Sequence, residues 1–145
     1  MRETKYRGYD SMNEEWVHGN LCKNIAGDYC IQVEYGEAKW KFVKKVDLKS
    51  IGQYTGLKDK NEKEIYEGDI IKYTFDLPES HGATENGLKI RYGEVNWSEW
   101  RSSFAVYGRK KLTNQDLFYY VRNGNRAEVI GNKYDNSELT GLVNS

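Results

Sequence analysis

Three carboxylates, Glu64, Glu67 and Asp69, stand close together near the middle of the chain. Oxygen ligands converging in that way could hold a divalent cation. A second pattern, Asp28 followed by Glu37-x-Lys39, spells the Asp…Glu-x-Lys arrangement of metal-dependent nucleases, in which two carboxylates hold Mg²⁺ and a lysine helps activate water. Both patterns also have a plainer reading. Asp69 follows Gly68 at a tight corner, where an aspartate commonly hydrogen-bonds the local backbone. Glu37 falls in a hairpin turn, where a carboxylate is simply solvated. His18 and His81 stand alone and no CxxC occurs, so zinc-ligand spacing is missing. Phosphate-binding loops, GxSxG and HExxH are missing too. The expectation is a protein that is not an enzyme and has no cofactor, with no metal ligands assigned.

Cations and flat rings are the better motivated chemistry. Lys39-Trp40-Lys41 with Lys44 and Lys45, then Trp97, Trp100 and Arg101, then Tyr107 with Arg109, Lys110 and Lys111, combine the charge and stacking surfaces that single-stranded nucleic acid uses. Strand alternation puts Trp40 and Trp97 with the core-facing residues, where they serve as buried area. Trp100, Arg101, Tyr107, Arg109, Lys110 and Lys111 remain as the candidate binding residues. They suit a protein partner, or self-association through an exposed aromatic patch or a sheet edge, with nucleic acid as the alternative.

Charge does not choose between these partners. Lys plus Arg and Asp plus Glu both count 22 in 145 residues, so no global field steers the chain toward nucleic acid or a membrane. The balance varies locally: nine basic and eight acidic residues up to position 50, four and eight over 51–87, nine and six over 88–145. No apolar run approaches the roughly 20 residues that span a bilayer, and the first residues, MRETKYRGYD, lack the apolar core of a signal peptide. The reading is cytoplasmic, with no membrane partner. In a reducing cytosol Cys22 and Cys30, which could pair, read as core thiols.

The elements that must position these groups are mostly strands. One proline, 14 glycines and 14% aromatics suit short strands joined by glycine turns. Lys5 to Asp10 and Trp16 to Leu21 read as a hairpin around Ser11 to Glu15. Tyr29, Ile31, Val33 and Tyr35 alternate, Gly36-Glu37 reverses the chain, and Ala38, Trp40 and Phe42 repeat the alternation. Ile51 to Tyr73 is a turn-rich unit: an apolar run to Leu57, a charged turn over 58–63, a short strand 64–66, and a Glu67-Gly68-Asp69 corner feeding Ile70 and Ile71 into a new strand. Residues 76–87 read as a surface loop. Leu88 to Trp97 reads as a strand with a bulge at Gly93, returning through Phe104 and Val106. Thr113 to Asp116 could cap a helix, but Asn123-Gly124 favours strands at 118–122 and 126–130. The tail predicts a turn of helix capped at Asn136, with Leu139 and Leu142 packing inward.

The string from Ile51 to Ile71 resembles the hallmark of the YopX family of phage and prophage proteins. Three further segments agree: KYRGYD at 5–10, Gly93-Glu94-Val95, and Glu128-Val129-Ile130-Gly131-Asn132 followed by Tyr134-Asp135-Asn136. Two positions depart from the family pattern: Glu62 stands where an Asn-Gly turn is usual and Ser137 where proline is often found. The resemblance implies a phage-borne or prophage-borne protein of mainly β fold that includes a small SH3-like barrel, and it implies no particular reaction. Together these readings predict an N-terminal β-hairpin subdomain over 1–50 and an SH3-like small β-barrel with a C-terminal helical turn over 51–145, with little helix. The expected function is a non-enzymatic binding module for a host or phage protein, with a host-takeover or anti-defence role. A nucleic-acid-binding barrel is the alternative, and a metal-dependent nuclease the less favoured one.

Overall fold

The computed structural model describes residues 3–38, 40–108 and 113–145. Among these residues eleven strands and two short α-helices follow in order: β1 (Tyr6–Asp10), β2 (Glu15–Lys23), β3 (Tyr29–Tyr35), β4 (Trp40–Lys45), β5 (Gly52–Lys58), β6 (Glu64–Tyr66), β7 (Asp69–Tyr73), β8 (Arg91–Ser98), β9 (Ser103–Tyr107), β10 (Thr113–Asp116), α1 (Leu117–Val121), β11 (Glu128–Asn132) and α2 (Thr140–Val143). The chain is mainly β, and no helix among the described residues is long and apolar enough to cross a membrane. It divides into two compact units, Met1–Gly56 and Leu57–Ser145.

In the first unit the sheet order is β4-β3-β2-β1-β5, each neighbour antiparallel. The expected hairpins form in register, with Tyr9 opposite Trp16 and Val33 opposite Phe42. Val17, Ile31 and Val46 make the buried centre, and Tyr6, Leu21, Val33 and Ile51 pack against it. Phe42 is a correction: it is half exposed rather than core-facing, because β4 is the outermost strand and the buried centre lies further in. Cys22 and Cys30 are free thiols directly opposite each other across β2 and β3. Burial pushes the Cys30 thiol above its usual range.

In the second unit the order is β10-β9-β8-β7-β11, again antiparallel throughout. Neither sheet closes on itself, so the closed barrel expected over 51–145 is replaced by an open sheet. Closure requires the end strands to meet with a matched stagger. Here the end strands β10 and β11 are four and five residues long, and each carries a register shift. The bulge expected at Gly93 is likewise absent: β8 keeps unbroken register with both neighbours. Gly93 serves close packing, since a Cβ there would collide with Val106 Cγ1.

The strand expected over 118–122 is replaced by the helix α1, Leu117–Val121, with Arg122 extended just after it. Leu117 and Tyr120, both fully buried, are three apart; a helix places them on one face, whereas a strand would send them to opposite faces. Asn123 and Gly124 take the two positive φ angles of a tight hairpin turn, 51° and 91°, but they follow this helix instead. Burial, followed by the neighbouring Tyr73, pushes the Tyr120 phenol far above its usual range. At the C-terminus Val143 is buried while Leu142 is exposed, so the inward residue of the last helix is shifted by one. Asn136 precedes the helical turn, as expected, but its side chain does not cap it; Asn136 Oδ1 instead accepts from the Asn132 amide at 3.2 Å.

Candidate binding surface

The surface is built on the β8–β9 hairpin. Val95 and Val106 face each other and are fully buried; two residues further toward the turn on the same face lie Trp97 and Phe104, also directly opposed. The core runs out before this end of the hairpin, and Trp97 is left 42% exposed. Its ring meets Phe104 edge to face at 5.1 Å, the favoured aromatic geometry. The expectation that Trp97 is buried is thus corrected. Alternation identified its face, but it could not say where along that face the cover ends.

The turn presents the second indole. The Ser98 hydroxyl, buried, accepts from the Arg101 amide at 3.2 Å, and the Ser102 amide donates to the Glu99 carbonyl at 3.3 Å. Ser102 takes a positive φ of 51°, which closes the reversal. Trp100 therefore stands at the apex with 87% of its surface exposed. The Arg101 guanidinium lies 5.4 Å from the Trp100 ring centroid, within cation–π range. Its Nη1 is 3.5 Å from Asp116 Oδ1, the oxygen that also accepts from the Ser103 hydroxyl at 2.9 Å. Asp116 ends β10, the strand beside β9, so the ion pair fixes the arginine against its own sheet.

Of the candidate residues, Trp100 and Arg101 are brought together. Tyr107 is opposite Glu94, on the face turned away from the Trp97 and Phe104 rings. It lines a separate cavity of about 350 Å³ with Asn96, Thr140 and Val143. Arg109, Lys110 and Lys111 lie outside the described residues. The sequence reading missed Trp97 and Phe104 as members of the surface. Their signal was positional: a tryptophan one residue before the Ser98 turn sits at a strand end, where alternation no longer guarantees cover.

The two carboxylate patterns do not assemble. Asp28 and Glu37 flank β3 at opposite ends, Asp28 is 3.6 Å from Lys45 Nζ, and Lys39 lies outside the described residues. Asp69 is buried and its Oδ2 accepts from the Tyr66 amide at 2.8 Å, the corner chemistry expected of it. Glu64 accepts from the Tyr66 hydroxyl at 3.1 Å. Among the described residues no three histidine, cysteine, aspartate or glutamate side chains are grouped to hold a metal ion.

Comparison with known proteins places this geometry in context. Residues 5–140 match the family model described as YopX protein. The chain is also similar in fold to a solved structure, the crystal structure of protein EF1440 from Enterococcus faecalis, with a TM-score of 0.51 and 23% identity over 96% of this chain and 99% of that one. No curated protein matches the chain.

Proposed function

The chain belongs to the YopX protein family, and from that premise we propose that it is a non-enzymatic binding module, carried by a phage or prophage, for a host or phage protein in the cytoplasm. The observation that carries this reading is the aromatic end of the β8–β9 hairpin, where Trp97 and Trp100 are exposed beside Arg101. Tryptophan and arginine are the residues that dominate protein interfaces when desolvated, because one supplies area and the other a planar set of donors. Aromatic surface left exposed at one end of a hairpin is the kind of apolar patch that marks interaction sites.

Protein is favoured over nucleic acid because the cation beside Trp100 is already engaged: Arg101 Nη1 stands 3.5 Å from Asp116 Oδ1. Phosphate-tracking grooves keep their cations unpaired. The test is a tagged pull-down from host cells during phage induction, with light scattering for self-association. A specific protein retained by the wild type and lost in Trp97→Ala, Trp100→Ala supports the reading. Salt-sensitive retention on heparin or single-stranded DNA, with no protein captured, would replace it with the nucleic-acid alternative.

A further inference from the structure

The second unit holds a cleft of about 480 Å³ apart from the aromatic hairpin end. β7 supplies Lys72, the loop after it Leu77 and Pro78, and the residue before β8 Ile90. Ile90 is half exposed, so an apolar wall faces the opening. The volume falls within the range of sites for small organic ligands, which combine apolar walls with a few placed polar groups.

The charges around this cleft are unevenly committed. Glu128 is directly opposite Lys72 in the β7–β11 register, a placement in which opposite charges usually pair. Its carboxylate instead meets Lys60 Nζ at 3.1 Å. Arg126 is taken as well: it donates to the carbonyls of Thr74 at 3.1 Å, Phe75 at 3.3 Å and Tyr119 at 3.1 Å, which ties the loop to α1. Lys72 is left half-buried with no ion pair among the described residues. Glu79, exposed at the rim, is the one further carboxylate lining the cleft.

We propose that this cleft binds a small amphipathic anion, its apolar body against Leu77, Pro78 and Ile90 and its carboxylate or sulfonate head on the Lys72 ammonium. A lysine half-buried beside apolar walls gains more from an anion than a fully exposed one does, because less water screens the pair. The assignment is independent of the hairpin surface and stands or falls separately from it.

The experiment is a fluorescence titration of the intact chain with 1-anilinonaphthalene-8-sulfonate, an anion with an aromatic body, run beside N-phenyl-1-naphthylamine, the same body without the charge. The expected result is saturable one-site binding of the sulfonate, weakened about tenfold or more in Lys72→Gln through loss of a charge-assisted contact, and abolished in Ile90→Asp. Trp100→Ala should bind as the wild type does. Circular dichroism establishes that each variant is folded, and amide shift changes in NMR spectra of the wild type locate the dye independently of any substitution. Equal affinity for the uncharged body, unchanged binding in both cleft variants, or shifts centred on Trp97 and Trp100 would each overturn the proposal.

Discussion

Asp59 Oδ2 accepts a hydrogen bond of 2.9 Å from the amide of Val129, 70 residues further along the chain. The other oxygen, Oδ1, accepts from the amides of Asn61 at 2.8 Å and Lys63 at 2.9 Å, and the residue is buried. One carboxylate thus closes the turn between β5 and β6 and pins it to β11. The adjacent Lys60 amide donates to the Ala127 carbonyl at 2.9 Å, doubling the link.

Removing that carboxylate leaves three amides without their acceptor. Asp59→Ala is expected to destabilise the fold by about 3 kcal/mol, the range for losing charge-assisted hydrogen bonds in a buried setting. Asp59→Asn, which keeps an acceptor oxygen, should lose less. Urea denaturation followed by tryptophan fluorescence checks both; equal stability of Asp59→Ala and the wild type would show that water replaces the carboxylate without cost.

The same turn carries a strained residue. Glu62 has φ 65°, in the left-handed region that glycine adopts freely and other residues avoid. Glu62→Gly is expected to stabilise the fold by about 1 kcal/mol, from relief of that strain less the extra freedom glycine has when unfolded. Glu62→Ala, which keeps the Cβ, should give no such gain. Thermal melts of the three proteins decide it, and an unchanged melting temperature in Glu62→Gly would remove strain from the account of this turn.

Acid should weaken the first unit through Asp10. The Asn13 side-chain amide donates to Asp10 Oδ2 at 2.7 Å, and the amides of Met12 and Asn13 donate to Oδ1, which together hold the carboxyl below its ordinary value against the opposing effect of burial. A carboxyl depressed on folding adds stability above its unfolded value, and that stability is lost as pH falls through the folded value. Asn13→Ala is therefore expected to raise the Asp10 pKa in an NMR titration and to flatten the acid side of the melting-temperature profile. An Asp10 titration identical in both proteins would show that Asn13 does not set it.

Much of the local order was legible because it is periodic. Tyr29, Ile31 and Val33 alternate, and β3 and β4 form with Val33 opposite Phe42. The Glu67-Gly68-Asp69 corner was legible because Gly68 takes a positive φ of 90° and Asp69 binds the Tyr66 amide three residues back. The strand expected over 118–122 rests on aromatic content and on Asn123-Gly124, both of which speak for a hairpin. The helix was selected by the need to bury Leu117 and Tyr120 on one side. At the surface, Trp100 at a turn was readable as exposed. Trp97 was not, since its exposure depends on where the cover over the Val95 face stops.

By itself the sequence determined the family, the mainly β character and the position of most turns, because these follow from residue type and from spacing over a few positions. Only the tertiary structure decided that the second sheet stays open, that Asp59 reaches Val129, that Glu128 turns to Lys60 and leaves Lys72 with no ion pair among the described residues, and that Trp97 and Trp100 are both exposed. The physical reason is range. A turn or an alternation is satisfied by near neighbours, whereas closure, burial and the choice of an ion-pair partner depend on which distant strand arrives beside each residue.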